Sequence, residues 1–130
     1  MPDTAAATVH VDDALMKEIG DAFNARDVDR IVGHFAEDGV FSTARGPHAY
    51  GERYVGKAAI RAFLAERFAH IPDMSWVHEY RYCCGDRAVS YWTVTGKDAR
   101  GEQLELKGCD LYTFKNRKIV YKDTFWKQRT

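Results

Sequence analysis

The spacing of apolar residues changes at Met74, and this change restricts the possible folds more than any other feature of the sequence. Before Met74, apolar residues recur every three or four positions along most of the chain, as they do in amphipathic helices. After Met74 they alternate with polar residues, as they do in half-buried strands. This order, helices first and then strands joined by short turns, indicates an α+β fold with an antiparallel meander.

Three helices and five strands are predicted from this spacing. The first helix covers residues 11–25, with Asp12 or Asp13 as its cap. The second is short, with Asp27 as its cap and Gly39 as its end, and the third covers residues 57–70. The strands are residues 40–43, 74–83, 88–95, 104–114 and 118–126. Residues 44–56 form a loop that is long for a compact domain, and such loops are more often functional than accidental.

Composition excludes several classes of protein. The 130 residues fit one domain, residues 11–130, after a flexible tail at residues 1–10. Nineteen basic and nineteen acidic residues cancel, so no long-range attraction to nucleic acid or to an anionic membrane is expected. No apolar run reaches the roughly 18 residues that span a bilayer, and the amino terminus lacks the pattern of a secretory signal. We therefore expect a cytoplasmic protein that binds neither nucleic acid nor membrane.

Cysteine, histidine and glycine patterns point to no familiar chemistry. Cys83, Cys84 and Cys109 fit reduced, buried thiols, and an adjacent redox pair at Cys83 and Cys84 is the alternative. The five histidines are scattered, so no metal site is predicted. The sequence also lacks the glycine-rich phosphate loops, the zinc-protease motif and the serine-hydrolase motif.

The last predicted hairpin decides which side chains share a face of the sheet. A two-residue loop at Asn116 and Arg117 places Asp110 opposite Asp123 and separates the aromatic residues from most of the lysines. A three-residue loop would instead place Asp110 beside Lys122 and mix polar with apolar residues on both faces. We prefer the two-residue loop because its faces are amphipathic.

In that register two carboxylates lie opposite each other among aromatic side chains. Like charges away from water cannot both ionise at low cost, so one pKa is expected to rise. A carboxyl group that stays protonated can act as a general acid or donate a hydrogen bond to an oxyanion. The structural alternative is that backbone amides bind one of the two aspartates and that the other reaches the rim.

Aromatic residues are more numerous than a plain core requires, with three Trp, seven Tyr and seven Phe. A cavity with aromatic walls suits a flat, apolar ligand. The alternation predicts that His78 shares a face with Trp76, Tyr80 and Tyr82, either as a hydrogen-bonded core residue or as a catalyst. In the long loop, His48, Tyr50 and Tyr54 either close over the cavity or belong to an ordinary surface loop.

Several segments resemble one superfamily. Residues 23–29 and 35–38 resemble the opening of the nuclear transport factor two-like superfamily, and residues 55–63 resemble the entry to its third helix. Residues 108–114, followed by 118–120, resemble the strand pair of SnoaL-like polyketide cyclases and ketosteroid-isomerase-like proteins. The order and spacing of these segments are specific together, and the similarity covers roughly residues 13–127 as one domain.

The resemblance implies a cone-shaped fold, in which a curved antiparallel (mixed) sheet packs on three N-terminal helices and encloses an apolar pocket. It also implies a homodimer through the outer face of the sheet, and no metal or organic cofactor. Asp110 falls on the aspartate that acts as acid/base in SnoaL-like cyclases and as oxyanion donor in ketosteroid isomerases. Ile19 stands where the isomerases have a tyrosine, and their general-base aspartate falls near Thr43, which argues against steroid isomerisation by that mechanism.

Together these observations favour a small cofactor-independent enzyme of the isomerase, cyclase or dehydratase class. It would act by general acid/base chemistry on an apolar or aromatic carbonyl compound in a buried pocket. Asp110 is the expected acid/base, and Asp123 shifts its pKa. His78 and Tyr54 position or protonate the substrate. The expected ligand-binding residues are Tyr50, Tyr54, Trp76, Tyr80, Trp92 and Tyr112. The alternative is a non-catalytic module of the same fold. It would either bind a small hydrophobic ligand or act as a dimeric interaction module that binds a partner.

Overall fold

A computed structural model describes residues 10–130, so the predicted tail lies outside the described residues except for His10. Within residues 10–130 the chain forms three helices and one six-stranded sheet, which confirms the α+β class. The helices are α1 (Asp13–Asn24), α2 (Val28–Gly33) and α3 (Lys57–His70). The strands are β1 (Phe35–Ser42), β2 (Arg53–Val55), β3 (Ser75–Cys84), β4 (Arg87–Lys97), β5 (Gln103–Lys115) and β6 (Lys118–Trp126).

The first two helices are capped by residues that the sequence indicates, although α1 begins at Asp13 and not at residue 11. The side chain of Asp12 accepts a hydrogen bond from the backbone N–H of Leu15 at 2.8 Å, and so caps α1. Asp27 accepts from the backbone N–H of Arg30 at 3.2 Å and caps α2. Each cap satisfies one of the backbone donors that a helix leaves free at its first turn. The predicted caps are therefore confirmed, and α3 has the predicted bounds.

The second helix is shorter than its apolar spacing predicts. It ends at Gly33, and Phe35 begins β1, where it pairs with Ile119 of β6. Both residues are fully buried, so tertiary packing outweighs the local helical spacing. At Gly39, a Cβ atom would lie 2.8 Å from the carbonyl oxygen of Ile119. Glycine therefore permits the close approach of two strands here and does not end a helix.

The sheet is mixed, as expected, and its strand order is β2-β1-β6-β5-β4-β3. β1 and β6 run parallel, and every other neighbouring pair in this sheet is antiparallel. The inner face carries the main core, which α1 covers through Leu15, Ile19 and Phe23. β5 and β6 lie at the middle of this face, so their inward side chains lie between the helices and the sheet.

A β-bulge in β3 contradicts the predicted face of two tyrosines. His78 pairs with Trp92, but Tyr80 pairs with the next residue, Tyr91, so Glu79 is the extra residue. A bulge reverses the alternation beyond it. His78 therefore faces inward, whereas Tyr80 and Tyr82 are 48% and 67% exposed on the outer face. The expectation that these tyrosines share a face with His78 is wrong.

A second bulge, in β6, contradicts the predicted pairing of the two aspartates. The two-residue turn is confirmed, because Lys115 pairs with Lys118 and both turn residues have positive φ, 52° at Asn116 and 63° at Arg117. Beyond Ile119, however, the register shifts by one residue. Asp110 consequently lies opposite Thr124, and Asp123 lies opposite Leu111 on the other face of the sheet. The predicted Asp110–Asp123 pair does not exist.

The outer face of the sheet carries several large apolar side chains that are exposed in the single chain: Val77, Tyr80, Tyr82, Leu111 and Phe125. These residues come from strands β3, β5 and β6. This is the face on which a second copy is expected, and the homodimer stays a prediction.

Candidate functional site

Asp110 lies on β5 with its carboxylate inside the fold, and only 5% of the residue is exposed. Its Oδ2 atom accepts hydrogen bonds from Trp92 Nε1 at 2.8 Å and from Ser90 Oγ at 3.3 Å. Its Oδ1 atom accepts from Thr124 Oγ1 at 2.6 Å and from Lys122 Nζ at 2.9 Å. A carboxylate offers about four acceptor positions, so these donors leave none for a ligand.

Lys122 is the other charged residue of the site, and it is almost fully buried. Its Nζ atom donates to Asp110 and, at 2.7 Å, to Thr124 Oγ1. The Phe41 ring centroid lies 4.1 Å from Nζ and the Phe23 ring centroid 5.1 Å from it. Cation–π attraction and two charge-assisted hydrogen bonds thus replace the water that an exposed ammonium would bind.

Burial and the neighbouring carboxylate act on Lys122 in opposite directions. Loss of solvent lowers the pKa of Lys122, and the charge of Asp110 opposes this shift without cancelling it. A lysine of lowered pKa gives up a proton more readily than an exposed lysine, which suits it to acid/base chemistry.

The larger of two cavities around Lys122 has mostly aromatic walls, and we call it the ring cavity. Its cavity volume is about 30 Å³, and the space between its walls reaches about 400 Å³ when the open solvent at its mouth is counted. Its walls contain Phe23, Phe41, Phe63, Leu64, Phe68, Trp76, Trp92 and Trp126, and its polar groups belong to Thr43, Arg67, Lys122 and Thr124. Trp92 and Trp126 meet edge to face above Gly108, where a Cβ atom would lie 2.7 Å from Trp92 Cη2. Glycine at this position lets both rings approach the strand.

The second cavity has a volume of about 20 Å³, or about 330 Å³ when the open solvent at its mouth is counted. It contains most of the ionisable groups, and we call it the polar cavity. It is lined by His78, Ser90, Asp110, Tyr112 and Lys122, together with Met16, Gly20, Phe23 and Trp76. Lys122, Phe23 and Trp76 line both cavities, so Lys122 is located where the two cavities meet.

His78 occupies the polar cavity because α1 leaves room for it. A Cβ atom at Gly20 would lie 3.2 Å from His78 Cε1, which is tight for any side chain at that position. Partial burial lowers the pKa of His78, and the charge of Arg81 acts in the same direction. The imidazole is therefore neutral near pH 7, with one ring nitrogen able to accept a proton.

The other expected site residues are divided between the cavities and the surface. Trp76, Trp92 and Tyr112 form cavity walls. Tyr54 stacks on Phe63 at 4.4 Å and lines a surface depression beside the ring cavity. The remaining three expected residues, Tyr50, Tyr80 and Asp123, line neither cavity.

Each of these three residues lies in a different surface environment. Tyr50 is exposed and carries the Arg53 guanidinium over its ring at 3.7 Å. Tyr80 contacts the rings of Tyr82 and Tyr91 on the outer face. On that face partial burial raises the pKa of Asp123, and the charges of Arg53 and Lys122 oppose this shift.

Sequence reasoning missed Lys122, Thr124 and Arg67 as site residues. A regular two-residue hairpin places Lys122 and Thr124 on the lysine-rich face. The bulge in β6 breaks that regular register, so both side chains lie on the inner face instead. The signal that could have found Lys122 is the rejected three-residue register, which places it beside Asp110. Within residues 10–130, no three metal-ligating side chains come together, and no helix is long and apolar enough to cross a membrane.

One family model matches most of the chain. The SnoaL-like domain matches residues 17–122. An NTF2-like protein of unknown function from Burkholderia pseudomallei is 22% identical over 88% of each chain, with a TM-score of 0.78. A putative polyketide cyclase from Xanthomonas campestris pv. campestris is 21% identical over 88% of this chain and 89% of its own, with a TM-score of 0.78.

A cystatin-fold protein from Novosphingobium aromaticivorans is 24% identical to this chain. The alignment covers 88% of this chain and 96% of the other, with a TM-score of 0.72. At this level of identity the three solved structures show a common fold. No curated protein sequence matches the chain.

Proposed function

The chain belongs to the SnoaL-like domain family, and from this premise we propose that it is a small acid/base enzyme acting on an apolar or aromatic carbonyl compound. The compound lies in the ring cavity with its carbonyl oxygen directed at Lys122. The observation that carries the proposal is the buried Lys122 ammonium, which lines both cavities while Asp110 binds it.

Lys122 supplies the positive charge that the reaction needs. An ammonium has three N–H donors, and two of those on Nζ are used by Asp110 and Thr124. The third is available to an oxygen in the ring cavity. A donor that is already oriented, in a site with little water, stabilises negative charge on that oxygen much more than water does.

His78 supplies the base. Because its pKa is lowered, the imidazole is neutral near pH 7 and can remove a proton from carbon. His78 and Lys122 line the same polar cavity, so a substrate in the ring cavity contacts both when its carbonyl end extends past Lys122 into the polar cavity.

The proton transfer that these groups support is enolisation. The C–H bond beside the carbonyl breaks, and its proton moves to a ring nitrogen of His78. The electron pair of that bond forms the C=C bond of an enolate, whose oxygen accepts a hydrogen bond from Lys122 Nζ. If the enolate is conjugated with a further C=C bond, return of the proton from His78 to the far carbon gives an isomer. If the enolate carbon attacks a second carbonyl, a ring closes and the alkoxide that forms takes the proton back from His78.

Asp110 acts on the substrate only through Lys122 in this proposal, so it is a positioning residue. It holds the ammonium in one orientation and opposes the loss of its proton. Ser90, Trp92 and Thr124 fix the carboxylate in turn. Asp110 thus keeps the place at the site that the sequence predicts for it, with a different role from direct acid/base catalysis.

Deuterium exchange of 1-indanone tests the proposal, because this flat aromatic ketone needs only the enolisation step. The protein is expected to accelerate loss of the proton signal beside the carbonyl in D₂O by about 10²–10⁴-fold over buffer alone, as proton NMR measures it. The substitution His78→Gln removes the base and is expected to abolish most of the acceleration. The matched control is His10→Gln, since His10 is exposed.

Two outcomes would contradict this function. One is a rate of exchange equal to that in buffer alone. If 1-indanone nevertheless quenches tryptophan fluorescence, the chain is the non-catalytic ligand-binding module. The other is full activity of the His78→Gln variant, which would remove His78 from the reaction.

A further inference from the structure

Arg67 places a second cation at the ring cavity, and this cation lacks a counter-ion. Arg67 lies in the last turn of α3, and its guanidinium carbon is 5.0 Å from the Phe63 ring centroid and 5.5 Å from that of Trp126. Among residues 10–130 no carboxylate lies within ion-pair distance of Arg67. A half-buried charge without a partner is unfavourable, so a functional reason for it is expected.

Trp126 contributes an independent sign of a missing acceptor. Its Nε1 atom is buried and has no hydrogen-bond partner within residues 10–130. The same side chain lines the ring cavity together with Arg67. Buried indole N–H groups normally find an acceptor, because leaving one unpaired costs free energy.

The charges around the ring cavity leave an excess of one positive charge. Asp110 balances Lys122, with both side chains almost fully buried. Arg67 remains, and Arg45, which lies outside the ring cavity, brings no negative charge to balance it. Glu52 and Glu66 line the depressions outside the cavity mouth, yet neither pairs with Arg67. An anion entering the cavity would supply the missing negative charge.

We propose that the ring cavity binds an aromatic or apolar carboxylate, with its carboxylate group on Arg67 and on Trp126 Nε1. This inference rests on the proposed function for the opposite end of the ligand, where a carbonyl oxygen faces Lys122. The substrate class is then a flat apolar keto acid. Arginine suits the acidic end because its planar fork can bind both carboxylate oxygens.

Two probes of the same shape test the carboxylate site without requiring turnover. 2-Naphthoate carries the carboxylate, and 2-naphthamide replaces it with a neutral amide. Titration calorimetry is expected to show at least about 10-fold tighter binding of 2-naphthoate to the wild-type protein. Arg67→Gln is expected to make the two affinities equal. Trp126→Phe keeps a ring and removes the N–H, and should reduce the preference by a smaller factor.

The control is Arg61→Gln, which removes the same charge from the same helix. Arg61 is exposed and pairs with Asp29, so this variant should keep the preference for 2-naphthoate. Near-ultraviolet circular dichroism of the tryptophans checks that each variant is folded. A preference that survives Arg67→Gln would overturn the proposal, and so would equal binding of both probes to the wild-type protein.

The outcomes separate this inference from the proposed function. If 2-naphthamide and 2-naphthoate bind equally and 1-indanone still exchanges, only the carboxylate site is wrong. If neither probe binds at millimolar concentration, the ring cavity is not a ligand site, and both proposals are overturned.

Discussion

Replacing Lys122 with methionine is expected to lower the accelerated exchange of 1-indanone by at least about 100-fold. Methionine has a similar length and fills the same space, but it has no charge and donates no hydrogen bond. The enolate oxygen would then form in an aromatic cavity without a cation. Such an oxyanion is costly in a site with little water, because no solvent shell replaces the missing donor.

The exchange assay in D₂O measures this effect, and Lys107→Met is its control. Lys107 lies on β5 and pairs with Glu79 on the outer face, so removing its charge should leave the rate unchanged. Binding of 1-indanone, followed by tryptophan fluorescence, separates loss of chemistry from loss of the cavity. An active Lys122→Met variant would show that the ammonium takes no part in the reaction.

Breaking the Asp110–Lys122 pair from either side is expected to cost about 3 kcal/mol in the free energy of unfolding. The two side chains are 7% and 5% exposed, so each single substitution leaves a buried polar or charged group without its partner. The double variant Asp110→Asn/Lys122→Met leaves no unpaired charge. It should therefore lose clearly less stability than the sum of the single variants.

Urea unfolding of the wild type, the two single variants and the double variant measures this coupling. The matched control is the exposed pair of Glu79 and Lys107, whose side chains are 40% and 47% exposed. A cycle with Glu79→Gln and Lys107→Met should give a coupling below about 1 kcal/mol, because water already solvates both groups. Additive losses at Asp110 and Lys122 would mean that the two groups are not paired in the folded protein.

The helical part of the fold follows from local chemistry and could be predicted. Asp12 and Asp27 cap helices because their side chains accept hydrogen bonds from backbone N–H groups three residues ahead. The bounds of α3 follow from Gly56 before it and from Pro72 after it. The parallel strand β1 was missed in part, because Phe35 also fits the helical spacing, and only its pairing with Ile119 decides between helix and strand.

The site itself depends on two bulges that no sequence pattern marks. An extra residue in a strand has no characteristic side chain, and its position is set by contacts with neighbouring strands and helices. The bulge at Glu79 directs His78 inward and Tyr80 outward. The bulge in β6 turns Lys122 and Thr124 toward Asp110. Asp110 itself could be found, because its inward position on β5 does not depend on either bulge.

Nitrogen-15 NMR of the Lys122 side chain tests most directly whether a buried, carboxylate-bound ammonium faces the ring cavity. In protein labelled with ¹⁵N-lysine, the Nζ signal that disappears in Lys122→Met is assigned to Lys122 and followed against pH. We predict that it titrates below the ordinary lysine value of 10.5, because burial disfavours its charge. We also predict that its shift changes when 1-indanone is added. Titration at the ordinary value, with no response to 1-indanone, would contradict a buried Lys122 at a ligand site.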